Sequence, residues 1–115
     1  MAFPKTTSKF IRENGKTFTV YLVEFENAIF SFFFEGESRK IGTMAVATPR
    51  TSTFPGSSSL MLGYKNVNIT RLLSEYLASK FQKIAVSSVF IYLEDDIHTN
   101  QILLKLAKSI EIPLT

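Results

Sequence analysis

Two neighbouring stretches, KTFTVYLVEF (16–25) and AIFSFFFE (28–35), carry apolar side chains at both odd and even positions. Successive side chains of a strand point to opposite faces of its sheet. A sheet built from these two is therefore apolar on both sides. A two-residue turn at Glu26-Asn27 pairs Val23 with Phe30, Tyr21 with Phe32 and Thr19 with Phe34, and directly opposed residues share a face. One face then carries Tyr21, Val23, Phe25, Phe30, Phe32 and Phe34, and the other carries Phe18, Val20, Leu22, Ile29 and Phe33.

The rest of the chain limits what can cover those faces. It has 115 residues, enough for one domain with a real core. Asn14-Gly15 is a strong hairpin signal between strands expected over 8–14 and 16–25. The strand over 28–35 and a turn at Gly36 lead to a further strand over 40–47, giving an antiparallel meander. TPRTSTFPGSSS (48–59) is rich in Ser, Thr, Pro and Gly, and reads as an exposed, mobile loop. It is either a plain connection or an arm that orders on a partner. LMLGYKNV (60–67) is a short strand or a bridging segment. Ile69, Leu72, Leu73, Tyr76, Leu77 and Phe81 fall on one helical face, predicting a helix over 68–83 with Asn68 as N-cap. IAVSSVFIYL (84–93) is β-branched and aromatic, a buried strand by composition. A second helix is expected over 96–111, capped near Asp95 or Asp96, with Lys105 and Lys108 suiting its C-terminal dipole and Pro113 barring its continuation. The order β-β-β-β-α-β-α predicts a single α+β domain over 1–115. Its sheet is mainly antiparallel, five- to six-stranded, with two helices on one face.

Five strands at ~4.8 Å spacing span about 24 Å, and two helices of ~10 Å diameter roof about 20 Å. Two helices thus cover one face and leave the other bare. Five aromatic rings at ~150 Å² each would expose at least about 750 Å², more than the ~300–600 Å² of a typical monomer's largest apolar patch. The excess predicts a second chain stacked on that face, most simply across a two-fold axis. The alternative is that segment 60–67 folds over the sheet and the rings are ordinary core.

The chemistry of a catalyst is not evident. His98 is the sole histidine. It and the neighbouring Asp95 and Asp96 read as a solvated helix start rather than a metal site. FPGSSS (54–59) lacks the Gly-Lys-Ser/Thr ending of a phosphate loop. Asn68-Ile69-Thr70 matches a glycosylation sequon, but the helix start explains it better. No enzyme, cofactor or metal is expected. The net charge of +3 is scattered along the chain, against a nucleic-acid partner. The chain has no cysteine, no signal-like N-terminus and no run of roughly 20 apolar residues, so a cytoplasmic protein without a membrane partner is expected.

Three stretches, FTVYLVEFENAIFSFFF (18–34), GTMAVATP (42–49) and TRLLSEYLASKFQKIAVSSVFIYL (70–93), resemble the proteasome assembly chaperones of the third and fourth type, including their archaeal relatives. The likeness runs through nearly the whole chain and consists of packing patterns. It implies an antiparallel sheet with two helices on one side and dimerisation through the sheets, with an identical or a paralogous chain. It also implies cofactor-free binding to α subunits of the 20S proteasome during α-ring assembly. By that resemblance Tyr21, Val23, Phe25, Phe30, Phe32 and Phe34 form the dimer interface. The loop residues Thr48, Arg50, Thr51, Phe54, Ser57 and Ser58 are candidates for the α-subunit contact. Other proteasome chaperones insert a hydrophobic–Tyr–any tail into the α ring. This chain ends EIPLT, with Leu114 in the penultimate place, so that mechanism is not carried over. The alternative reading is a generic dimerisation or adaptor module with another protein client.

Overall fold

A computed structural model describes residues 2–111. The readings made on Pro113 and Leu114 lie outside the described residues. Eight elements follow in order: β1 (Lys5–Glu13), β2 (Lys16–Glu24), β3 (Ala28–Glu35), β4 (Thr43–Thr48), β5 (Ser57–Leu62), α1 (Val67–Phe81), β6 (Ile84–Phe90) and α2 (Ile97–Lys108). The strands form one six-stranded sheet in the order β1-β2-β3-β6-β4-β5. The fold class is α+β, with a mixed, mostly antiparallel sheet.

The first hairpin closes as the dipeptide dictates. Asn14 and Gly15 both take positive φ, 52° and 75°, the backbone that a tight two-residue turn requires. At the next turn the Phe25 amide donates to the Ala28 carbonyl at 2.8 Å. The β2–β3 register is the one expected, with Val23 opposite Phe30, Tyr21 opposite Phe32 and Thr19 opposite Phe34.

Three expectations are corrected. The first four strands do not form a continuous meander. β6 lies between β3 and β4, parallel to β3 and antiparallel to β4. Consecutive strands usually pair, but Ala85 to Val89 are all buried, and only a central position hides both sides of such a strand. The Ser/Thr-rich segment is not a loop through residue 59. Ser57–Leu62 pairs with β4, Thr48 opposite Ser57 and Ala47 opposite Ser58, so the connection shrinks to residues 49–56. The order gains a strand and reads β-β-β-β-β-α-β-α. Asn68 is exposed and does not cap α1. Asn66 occupies the N-cap, at φ 60°, a left-handed conformation that asparagine tolerates. Its side chain serves elsewhere, donating to the Leu93 carbonyl at 3.1 Å and accepting from the Asp95 amide at 2.9 Å. The end of the β6 region ahead of α2 is thereby fastened to the start of α1.

Both helices lie on one face of the sheet. Leu73, Leu77 and Phe81 of α1 and Ile102, Leu103 and Leu106 of α2 share one apolar cluster with Phe18, Val20, Leu22, Ile29 and Phe33. Under α1 the sheet offers Ala45, Ala47, Ala85 and Ser87, all buried. These small residues let the helix approach closely enough for the Ser74 hydroxyl to donate to the Ala45 carbonyl at 3.1 Å. Ser31 and Ser87 satisfy one another at 2.8 Å on adjacent strands. Asp96 caps α2, its carboxylate accepting from the Thr99 hydroxyl at 2.7 Å and amide at 2.9 Å. Those two bonds hold its pKa below the usual carboxylate value. At the other end of the sheet Lys83 donates to Glu24 at 2.7 Å, both side chains largely enclosed.

The two sheet faces should respond differently to truncation. Phe33 is fully buried, and Phe33→Ala should cost about 3–5 kcal/mol. Phe32 is half-buried on the opposite face, and Phe32→Ala should cost on the order of 1–2 kcal/mol in the isolated chain. Urea unfolding compares the two, and equal losses would mean that the second face is as enclosed as the first. A Cβ at Gly42 would stand 2.0 Å from the Val89 carbonyl oxygen and 2.9 Å from the Phe90 Cα. Gly42→Ala should therefore cost about 1–3 kcal/mol by forcing β4 and β6 apart. An unchanged urea midpoint would refute that close approach.

Candidate functional site: the uncovered sheet face

Strand alternation and the observed register place Tyr21 and Val23 of β2, Phe30, Phe32 and Phe34 of β3, Val86 and Phe90 of β6, and Met44 and Val46 of β4 on the face away from the helices. Phe25, in the turn after β2, joins them by packing edge-on against Phe30 with 5.7 Å between ring centres. Tyr21 meets Phe34 edge-on at 5.9 Å, and Phe90 meets Tyr92 at the same distance. Among the described residues, no helix crosses this side. The six strands, about 29 Å across at ~4.8 Å spacing, thus present an aromatic layer to solvent.

The layer is less bare than full exposure of every ring would make it. Tyr21 and Phe25 are 43% and 38% exposed, whereas Phe34 is 5% exposed. Val23, Phe30, Phe32 and Phe90 are half-buried. The rings hide one another's edges and present mainly their tops, so the area per ring falls below the full side-chain value used for the sequence. Segment 60–67 does not fold over them, because β5 continues the sheet at its edge. A partial cover comes from the turn after β3 instead. The Arg39 guanidinium lies over the Phe34 and Tyr21 rings, 5.2 and 5.7 Å from their centres. It is steadied by bonds to the Gly36 and Ser38 carbonyls at 2.9 and 3.0 Å. The Lys40 ammonium stands 5.9 Å from the Phe90 ring centre. Sequence reasoning did not include Arg39, Lys40, Val86, Phe90, Met44 or Val46. A pair of cations just past an aromatic strand was the available signal for the first two. The others require knowing that β6 and β4 adjoin β3.

The loop residues divide between two places, with Thr48, Arg50 and Ser57 lining one depression and Ser58 set against α1. Thr48 and Ser57 close the β4–β5 hairpin, the Ser57 amide donating to the Thr48 hydroxyl at 3.0 Å. Ser58 turns towards α1, where its hydroxyl contacts Glu75 and accepts from Arg71 Nε at 3.1 Å. Arg50, Thr51 and Phe54 remain exposed at the tip. The tip is itself organised, the Thr51 amide donating to the Phe54 carbonyl at 2.7 Å and the Phe54 amide to the Thr51 hydroxyl at 2.9 Å. An open depression of about 310 Å³ lies beside it, lined by Arg50, Gly56 and Glu75 among others.

The remaining chemistry sits on the helix side or at the rim. His98 Nε2 lies 3.4 Å from Glu13, which also meets Lys105 at 3.3 Å. Burial and the nearby Lys9 lower the pKa of Lys80, whose ammonium donates to the Lys108 carbonyl at 3.1 Å. Among the described residues, no three His, Cys, Asp or Glu side chains group closely enough to hold a metal ion, and no helix is long and apolar enough to cross a membrane.

No protein-family model matches the sequence, and no curated protein matches it either. Solved structures do share the fold. One is a chain of a novel chaperone complex for yeast 20S proteasome assembly, with a TM-score of 0.65 and 16% identity, over 91% of this chain and 95% of that one. The protein is thus similar in fold to a chaperone-complex subunit, from which its sequence is widely diverged.

Proposed function

We propose that the protein is a non-catalytic chaperone of 20S proteasome assembly that works as a two-chain unit and binds proteasome α subunits to promote ring formation. The observation that carries this reading is the aromatic sheet face left uncovered in a chain whose fold is similar, over 91% of its length, to that of a subunit of a yeast 20S proteasome-assembly chaperone complex. A second sheet stacking at ~10 Å would complete the layer on that face. The ~800 Å² per partner that a stable interface needs would be drawn from this six-stranded surface. Tyr21, Val23, Phe25, Phe30 and Phe32 would supply its centre, and Phe34 would support them from beneath Arg39. The exposed β4–β5 tip with Arg50, Thr51 and Phe54 would contribute to the α-subunit contact. Catalysis would be replaced by differential affinity: contacts to correctly neighbouring subunits lower the free energy of the right assembly relative to wrong ones. Such a role belongs in the cytoplasm and calls for no cofactor.

Tagged protein should recover untagged α subunits, together with its stacking partner, at micromolar concentration. Recovery of no α subunit would count decisively against the reading, and retention of unrelated proteins instead would favour a general adaptor. Phe32→Asp places a carboxylate in an apolar seam, at a cost of several kcal/mol, and should lose the stacked partner from the recovered material. Mass spectrometry of the bound fraction reads both outcomes.

A further inference from the structure

We infer that the outer edge of β5 is a second association surface, and that its occupant is β5 of another copy of this chain, paired antiparallel about a two-fold axis at Ser59. The inference concerns the rim of the sheet and is independent of what stacks on the open face. β1 and β5 are the two outer strands, and they are finished differently. An outer strand offers unpaired backbone amides and carbonyls to any other extended chain, and charged side chains commonly guard it. β1 carries Lys5, Lys9, Arg12 and Glu13, and Lys9 donates to the Ser109 carbonyl at 2.7 Å. β5, SSSLML (57–62), carries no charge and no proline. Its Leu60, Met61 and Leu62 are all exposed. Among the described residues, no strand pairs with its outer side.

The surface that needs covering is a strand together with a helix. Leu60 stands opposite Ala45 and Ser58 opposite Ala47, so both lie on the helix side. Beside them α1 lines a shallow depression of about 290 Å³ with Asn68, Arg71, Leu72 and Glu75, and Leu72 is exposed. An isolated extended peptide on β5 would leave Leu72 in water, whereas a second copy brings a helix as well as a strand. β5 and β6 both run antiparallel to β4, so α1, which joins them, runs against β5. A two-fold axis normal to the sheet at Ser59 sets Ser59 on its own copy and Ser58 opposite Leu60. The same axis lays α1 antiparallel to its copy, so that Leu72 faces Leu72 and Glu75 faces the end bearing Arg71. α1 lies over β4, so the two helices stand at least three strand spacings apart, ~14 Å. That is wider than the 8–10 Å of directly packed helices. The space between is floored by β5 and its copy, whose Leu60 side chains rise into it between the two Leu72. Arg71 already donates to the Ser58 carbonyl at 3.3 Å, and a carbonyl accepts two bonds. The register with β4 slips between Leu60 and Leu62, and such a bulge ends regular pairing. So short a seam falls below the ~800 Å² per partner of a stable interface, which makes the association a weak one.

Phe32→Asp removes stacking on the open face and so isolates the rim. Light scattering on that variant at ~0.5 mM chain and ~0.05 M salt should find about twice the monomer mass of 13.0 kDa. Adding Ser59→Lys should weaken this self-association at least about tenfold, since two like charges meet ~5 Å apart at the axis. Adding Ser59→Glu instead should do the same. An equimolar mixture of the two should restore the dimer, because the charges at the axis then attract. A monomeric Phe32→Asp chain, a dimer indifferent to Ser59→Lys, or a mixture that stays monomeric would each overturn the inference. If Phe32→Asp does not fold, the two Ser59 substitutions are made in the unaltered chain: a mass halved by each and recovered on mixing supports the inference, and an unchanged mass overturns it.

Discussion

The parallel pairing of β6 with β3 governs the arrangement of everything else. Parallel neighbours cannot be joined by a tight turn and need a crossover. Here the chain from β3 to β6 runs through β4, β5 and α1 before it returns. α1 lies over β4 and β6, and α2 follows β6 to cover β1 and β2. Both helices therefore fall on the same side. Ser31 opposite Ser87 marks the seam on that side, with their hydroxyls bonded to each other. Phe30 opposite Val86 marks it on the other, where no element of the described residues follows.

Much of this was legible in the sequence, and the reasons for success and failure are local. The β2–β3 register could be read because a two-residue turn leaves one way to pair strands of that length. Asn14-Gly15 announced its hairpin because few dipeptides accept positive φ at both positions. The position of β6 was not legible. Nothing within IAVSSVF tells which neighbours it will have, and the rule that consecutive strands adjoin favours β4. Strand β5 was hidden by its serines, which disfavour strand in isolation. They are held here by the partner backbone of β4, and Ser58 also by Arg71 and Glu75 of α1, residues that only the fold brings near. Asn66 was missed for a related reason: its backbone caps the helix while its side chain is engaged with residues 93 and 95.

The candidate site followed the same division. Alternation along two strands sufficed to assign Tyr21, Val23, Phe30, Phe32 and Phe34 to one face. Their individual exposure depended on what the turn from Gly36 to Gly42 does. That turn closes tightly against β6, since Gly42 leaves no room for a Cβ beside the Val89 carbonyl, and the Gly42 amide donates to the Ser88 hydroxyl at 2.9 Å. The segment is thus fixed at its far end while Arg39 and Lys40 reach back across the rings.

The edge-to-face contacts of Phe25 with Phe30 and Tyr21 with Phe34 also bear on how quickly and cheaply the layer can be put to use. Rotamers already restrained by a neighbouring ring, and by a guanidinium resting on top, have little freedom left to surrender. Ordering a loose side chain at an interface costs about 0.5–1.5 kcal/mol each. A surface whose aromatic groups are set in advance avoids much of that cost, so a matching sheet meets a template that needs no rearrangement before contact.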